Sequence, residues 1–285
     1  MAQTVKIISD STCDLSRELI EKYDITILPL HILLGETEYR DGVDITPEEI
    51  FRWSDENKTT PKTSAPSMTE AMEVMKPFLD EGREVICFSI SDSMSTSGNV
   101  MRLAAEDLEA SDRVTVINSA NLSTGIGLQV IQAAILSAEG KSRDQITAAI
   151  EEIRPRVRAS FVVDTLTYLY RGGRCNAVAA LAGGMLKLHP RIVVEDGAMD
   201  ASKKYRGKLG SVILSYAKDM EEALKNAVPD RVFITHSGCD REIVESVRSY
   251  LESLGIFKEV LETRAGGVVS SHCGPGTLGI LFIEK

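Results

Sequence analysis

The sequence predicts an α/β protein in two domains. Three observations carry this. Short apolar, β-rich segments alternate with amphipathic stretches up to about residue 153, the pattern of a parallel sheet covered on both faces. The alternation resumes after Pro155 with a hairpin signal at Asp196-Gly197, which adds antiparallel pairing. At 285 residues the chain is long enough for two cores of ordinary size. The expected division is an N-terminal parallel-sheet α/β domain over residues 1–156 and a C-terminal mixed-sheet α/β domain over residues 157–285.

In the first half, VKIIS (5–9) reads as a buried strand ended by DSTCD, and SRELIEKY as a short helix. ITILPLHILLG is apolar and β-rich, with Pro29 predicting an edge or a bend because proline brings no N–H to a ladder. TPEE (46–49) starts a helix: Thr46 as N-cap, Pro47 in the first turn, Glu49 closing a capping box. SMTE (67–70) repeats the box. Met68, Met72, Met75 and Leu79 follow at helical spacing, and Pro77 disturbs the last turn. EVICFSIS (84–91) and RVTVINS (113–119) are strands around a helix over about 97–109. STGIGLQVIQAAILSAEG is a helix ended by Gly140, and SRDQ opens another with Ile146, Ile150 and Ile153 on one face.

Beyond Pro155, RASFVVD (158–164) is a strand, and two short helical segments flank RGGR (171–174) and run to about Leu188. PRIVVEDGAMDASKKYRG reads as a hairpin, followed by a long helix over about 208–226. RVFITHS is a strand. DREIVESVRSYLESLG is a helix burying Ile243, Val247, Leu251 and Leu254, and FKEVLETR and TLGILFIE are the last strands.

Composition is that of a soluble globular protein, 43% apolar and 26% charged, with a formal net charge of −10. That balance disfavours nucleic acid and anionic membrane as large-surface partners, since both need a positive field. It leaves room for peripheral or transient membrane contact. The opening MAQTVKIISD is not the basic-then-apolar pattern of a signal peptide, and no run of about eighteen apolar residues predicts a membrane span. The five cysteines are odd in number and scattered, without a C-x-x-C, which fits reduced thiols and a cytoplasmic location.

Several standard sites are missing: the dinucleotide fingerprint, the P-loop, G-x-S-x-G and H-E-x-x-H. Adjacent His272 and Cys273 make poor geometry for one ion, so no metal is expected. What remains is a set of hydroxyl-rich turns, SDST (9–12), KTSAPS (62–67) and SDSMSTSG (91–98), at strand ends and helix starts. Ligands of open α/β sheets collect at the carboxyl ends of strands, where free helix N–H groups suit an anion. Each turn alone reads equally as helix capping. SSHCGPGTLG (270–279) places His272 beside a Gly-Pro-Gly turn, where it either caps the turn or meets a ligand carboxylate. His31, His189 and His236 read as structural, with His236 the second candidate.

These residues also carry a family likeness. DSTCDL (10–15), KTSAPS, ISDSMSTSGN, YLYRGGR (168–174) and HCGPGTLG (272–279) together resemble, nearly end to end, the motifs of the DegV family, which includes fatty-acid-binding subunits of bacterial fatty acid kinase. The resemblance implies two packed α/β domains with a long-chain fatty acid buried between them. It implies Thr63, Ser95 and His272 as the carboxylate ligands, with Ser64, Thr96, Ser97, Gly125 and Gly274 in the head-group loops. It implies a separate ATP-dependent kinase as partner, met by Arg171 and Arg206. No cofactor beyond the bound lipid, and no catalysis by the chain itself, is expected. Two departures stand out: Met94-Ser95-Thr96-Ser97 where the family has L-S-G-T, and His189-Pro190-Arg191-Ile192 where it often has K-P-I-L.

The physics fits that reading. Burying a methylene is favourable by about 0.8 kcal/mol, so a sixteen-carbon tail gains on the order of 10 kcal/mol before association costs. ALAGGMLKL (180–188) and ILPLHILL (27–34) are the expected walls of a dry tunnel. A buried carboxylate needs hydrogen bonds, which two hydroxyls and an imidazole supply without a permanent cation. Arg171 and Arg174, either side of Gly172-Gly173, suit an arriving phosphoryl group or plain surface salt bridges. Two rivals remain: a lipid-responsive sensor or scaffold, and a serine hydrolase using Ser95, His272 and Asp10 or Asp92.

Overall fold

The computed structural model describes residues 4–175 and 188–285. ALAGGMLKL, the tunnel wall expected at 180–188, lies outside the described residues except for Leu188. So does the second helical segment expected after RGGR.

The first sheet is parallel: β2 (Thr26–Leu28), β1 (Val5–Asp10), β6 (Glu84–Ser89) and β7 (Val114–Asn118), in that order. In register, Ile7 faces Ile86 and Ile86 faces Thr115, so the strands end side by side at Asp10, Ser89 and Asn118. The second sheet is mixed and six-stranded, ordered β10 (Ala198–Arg206), β9 (Leu188–Glu195), β8 (Val157–Val162), β13 (Thr277–Glu284), β11 (Ala227–Ser237) and β12 (Glu259–Arg264). Only β11 and β12 pair in parallel. The hairpin turns at Asp196-Gly197, both at positive φ, as a type I′ connection requires.

A third, small sheet was not expected from the sequence. It joins β4 (Thr37–Arg40), β3 (His31–Leu34) and β5 (Lys62–Ser64), all antiparallel. Pro29 is the reason: it breaks ITILPLHILLG, so that β2 edges the parallel sheet while β3 starts the small one. Most of ILPLHILL is therefore core and not tunnel wall: Leu28 packs under the parallel sheet, and Ile32 and Leu34 pack against Ile45, Ile50 and Val268.

Three helices begin at the capping boxes of the sequence. Thr46 and Glu49 close a box on α2 (Pro47–Asn57), Ser67 and Glu70 on α3 (Met68–Asp80), and Ser142 and Gln145 on α6 (Arg143–Ile153). Pro77 is carried inside α3 without ending it. Short α1 (Arg17–Lys22) and α4 (Ser97–Asp107) complete the cover of the parallel sheet. α5 (Thr124–Ala138) is buried almost all round, because it touches β1 and β6 on one side and β8 and β13 on the other. In the second half, the helix expected over 208–226 is two, α8 (Leu209–Asp219) and α9 (Glu221–Lys225), after α7 (Thr167–Gly172). Asp219 is drawn to Lys203 and Tyr205 of β10 at 2.6 and 2.8 Å while Met220 turns inward, and the chain kinks between them. α10 (Arg241–Ser253) buries Val244, Val247 and Leu251, with Ile243 and Leu254 half-buried.

One more helix had no counterpart in the sequence reading. Gly267–Cys273 forms α11, so His272 sits in the last turn of a helix and not in the Gly-Pro-Gly turn itself. α11 packs on α2, β3, β5 and α7. The division proposed at 156/157 separates the parallel and mixed sheets, yet packing crosses it: one hydrophobic cluster runs from Ile86 and Ile126 to Phe161, Val194 and Leu281.

Candidate functional site

The segments that follow β2 and β6, together with β5, open onto a cavity of about 420 Å³, within the usual range of small-molecule sites. Its apolar wall includes Leu30, Ile90, Met94, Leu122, Val268 and Val269; of ILPLHILL only Leu30 reaches it. Its polar wall includes Thr63, Ser64, Ser95, Thr96, Arg174 and His272. A small apolar void of about 20 Å³ extends this wall: it shares Leu122, Val269 and Cys273 with the cavity and is lined also by Phe161, Gly279 and Leu281 of the mixed sheet.

Thr63 and His272, 209 residues apart, meet at this wall with Oγ1 and Nε2 separated by 2.7 Å. Thr63 is placed by β5, where it pairs with Ile32. His272 is placed by α11. Burial, and then the nearby charge of Arg174, push its imidazole down to about 4, so it is neutral at pH 7. Nδ1 has no hydrogen-bond partner among the described residues. Gly172 lies against it so closely that a Cβ there would stand 2.4 Å from Nδ1. This explains why RGGR and HCGPG belong together: any side chain at 172 would drive the ring out of place.

Ser95 lies in the loop between β6 and α4. Its backbone N–H donates to Ser91 O at 3.2 Å, and its Oγ accepts from the Ser97 N–H at 3.2 Å. Met94 and Thr96, which replace the family's usual residues, still leave a turn: Met94 N–H also donates to Ser91 O, at 2.9 Å. The hairpin tip supports this loop through Ser93, whose hydroxyl donates to Gly197 O.

Three residues expected in the head-group loops do not line the cavity. Ser97 is fully buried and donates to Asp10 at 3.0 Å. Gly125 packs in the first turn of α5 against Asn121. Gly274 ends α11 at φ +77°, where a Cβ would also strike Tyr168 at 2.6 Å. The arginines also separate. Arg174 lines the cavity and donates to Gly172 O at 2.7 Å, whereas exposed Arg171 reaches Lys58 O at 3.4 Å. Arg206 ends β10, away from the cavity wall. Of the arginine pair expected to meet a phosphoryl group or form surface salt bridges, only Arg174 lines the cavity; Gly172 and Met94 are site residues that sequence reasoning did not place there.

The hydrolase rival is not assembled. Asp10 accepts from Thr12, Ile90 and Ser97, Asp92 pairs with Arg102 at 3.1 Å, and no carboxylate reaches His272 among the described residues. The other histidines are held structurally: His31 between Glu38 and Glu70 at 2.7 and 2.9 Å, and buried His189 by Val163 O at 3.1 Å. His236 is buried 3.5 Å from Glu262, outside the cavity. No group of three or more His, Cys, Asp or Glu suited to a metal occurs among the described residues, nor a helix long and apolar enough to cross a membrane.

The arrangement has recognisable relatives. The family model of DegV, described as an uncharacterised protein family, matches residues 4–285. A DegV domain-containing protein of Caldanaerobacter subterraneus is 31% identical, covering 99% of this chain and all of that one. A solved DegV family protein from Thermus thermophilus, described by its fatty acid binding, superimposes with a TM-score of 0.91 at 31% identity, covering 99% of this chain and 100% of that one. A stearic-acid-binding protein from Eubacterium ventriosum does so at 0.85 and 33% identity, covering 99% and 98%. From its first strand to its last, the chain belongs to the DegV family.

Proposed function

We propose that this protein binds a long-chain fatty acid, with the carboxylate on Thr63, Ser95 and His272 and the tail in the cavity and its apolar extension. The observation that carries the reading is the Thr63–His272 pair at 2.7 Å on the wall of a largely apolar cavity. A carboxylate leaving water must be hydrogen-bonded. A neutral imidazole sharing its Nε2 with a hydroxyl offers donors without burying a fixed cation beforehand. Once the anion arrives, its charge favours protonation of the ring, and Arg174 adds attraction from the cavity rim. The relatives described as binding fatty acid or stearic acid point to the same ligand class.

On this reading the protein is a cytoplasmic carrier without catalysis of its own. It presents the carboxylate to a separate ATP-dependent kinase, which forms the acyl phosphate. Arg171 and Arg206 serve the kinase-facing surface, and membrane contact is peripheral or transient. Native mass spectrometry of protein from a heterologous host should reveal acyl chains of roughly 14–18 carbons, the length whose burial yields on the order of 10 kcal/mol. Protein that is ligand-free and refuses added palmitate overturns the reading. For the kinase arm, Arg171→Ala and Arg206→Ala should keep palmitate affinity and lose acyl-phosphate formation with the kinase added; unchanged turnover removes them from that surface.

A further inference from the structure

We propose that Asp10, Asp14 and Asp41 are positioning residues that set both walls of the head-group site, Asp10 holding the Ser95 loop and Asp14 with Asp41 holding the helix of His272. The inference rests on the fatty-acid reading and adds the device that aligns its ligands.

All three carboxylates are buried, and none has an ion-pair partner among the described residues. Such groups are costly unless every oxygen is hydrogen-bonded. Asp10 ends β1. Its Oδ2 accepts from Ile90 N at 2.9 Å and Ser97 Oγ at 3.0 Å, the residues either side of the Ser95 loop. Its Oδ1 accepts from Thr12 N and Oγ1 at 3.2 and 2.5 Å. Asp14, four residues on, accepts from Gly266 N at 2.8 Å and Ser123 Oγ at 2.5 Å. Asp41 accepts from Gly267 N at 2.7 Å and Ser11 Oγ at 2.8 Å.

Gly266 and Gly267 begin α11. A helix of seven residues has little stability of its own, and its N-cap, Gly266, has no side chain to satisfy the first free N–H groups. Asp14 and Asp41 take that role from more than 200 residues away. DSTCD thus touches both the loop of Ser95 and the helix of His272, and fixes the distance between them. Burial pushes all three carboxyls above their ordinary range, opposed by these hydrogen bonds.

The hydrogen-bond pattern makes a sharp contrast. An asparagine at 14 keeps Gly266 on its carbonyl and donates to the Ser123 hydroxyl, which can turn. An asparagine at 10 must aim its NH₂ at a backbone N–H, of Thr12 or Ile90. The test measures the affinity of full-length protein for palmitate and for hexadecanol, the same chain without a carboxylate. Asp14→Ala and Asp10→Asn should weaken palmitate about tenfold or more and hexadecanol less than about threefold, with Asp14→Asn restoring palmitate to within about threefold. Should Asp14→Ala not fold, Gly266→Ala approaches from the other side: its φ of −64° suits alanine, and the methyl meets Asp14 Oδ1 at 3.1 Å. It should weaken palmitate selectively by about three- to tenfold. Parallel loss of both ligands, or no loss, overturns the positioning role. Wild-type protein that binds palmitate no better than hexadecanol overturns the fatty-acid reading instead.

Discussion

Two clefts among the described residues make a useful contrast, and the smaller of the two is the candidate site. The larger, of about 810 Å³, lies between the end of α6 and the mixed sheet and is lined by Arg154, Arg158, Arg191, Glu151 and Glu195 among others. Its charges are largely spent on one another and on the sheet: Arg154 on Glu151 at 3.7 Å, Arg158 on Glu284, Arg191 over the Tyr216 ring at 5.8 Å. The smaller cavity joins apolar walls to hydroxyls and a neutral histidine, with Arg174 also on its wall and Asp92 there already paired with Arg102. A ligand with a long apolar part and one acidic end gains from the second arrangement and little from the first. Volume is a poor guide; the pairing of dry wall and directed donors decides.

The largest effect expected is from filling the cavity. Val269→Phe, at the junction of the cavity and its extension, should lower palmitate affinity about a hundredfold or more, at a folding cost of about 1–3 kcal/mol. Val193→Phe in the larger cleft should leave affinity within about twofold. Equal effects in a displacement assay would erase the distinction between the clefts.

Next comes pH. The unfolded chain takes up a proton on this histidine near 6.5, the folded chain only near 4. The folded state therefore binds fewer protons between those values, and stability is lost as pH falls from about 6.5 toward 4. Between pH 7 and 4.5, wild-type protein should lose on the order of 2–3 kcal/mol more than His272→Asn, read from urea midpoints. The raised carboxyls act with the opposite sign in both proteins and cancel in the difference. Parallel pH profiles would mean that the ring protonates freely.

His272→Ala and Thr63→Val should each weaken palmitate about ten- to a hundredfold while sparing hexadecanol, as expected for a hydrogen bond to a charged group. Equal loss of acid and alcohol would show that these residues only shape the cavity. The smallest effect is expected in the larger cleft: Arg191→Gln should change palmitate affinity less than about twofold. A large loss there would shift the head group to the other cleft.

Much of the architecture was legible because its causes are local. Capping boxes at Thr46, Ser67 and Ser142 mark helix starts, since each box satisfies backbone groups within four residues. Asp196-Gly197 marks the hairpin for a similar reason. The site was legible as hydroxyl-rich turns and motif likeness: KTSAPS, ISDSMSTSGN and HCGPG named Thr63, Ser95 and His272 without saying how they meet. α11 was missed because GVVSSHC has no capping side chain and too few residues to show a period. The small sheet was missed because Pro29 splits one apolar run between two sheets, and nothing local says where the second piece will pair.

By itself, then, the amino-acid order determined the alternation of strands and helices, most helix starts, the hairpin and the inventory of donors. Those follow from backbone geometry and side-chain period over a few residues. The tertiary structure alone decided that Asp14 would cap a helix 252 residues away, that Gly172 would leave room for an imidazole, and that Ser97, Gly125 and Gly274 would fall outside the cavity wall. Such contacts arise only when separate elements pack, because burial is what makes an unpaired N–H or a misplaced methyl costly enough to matter.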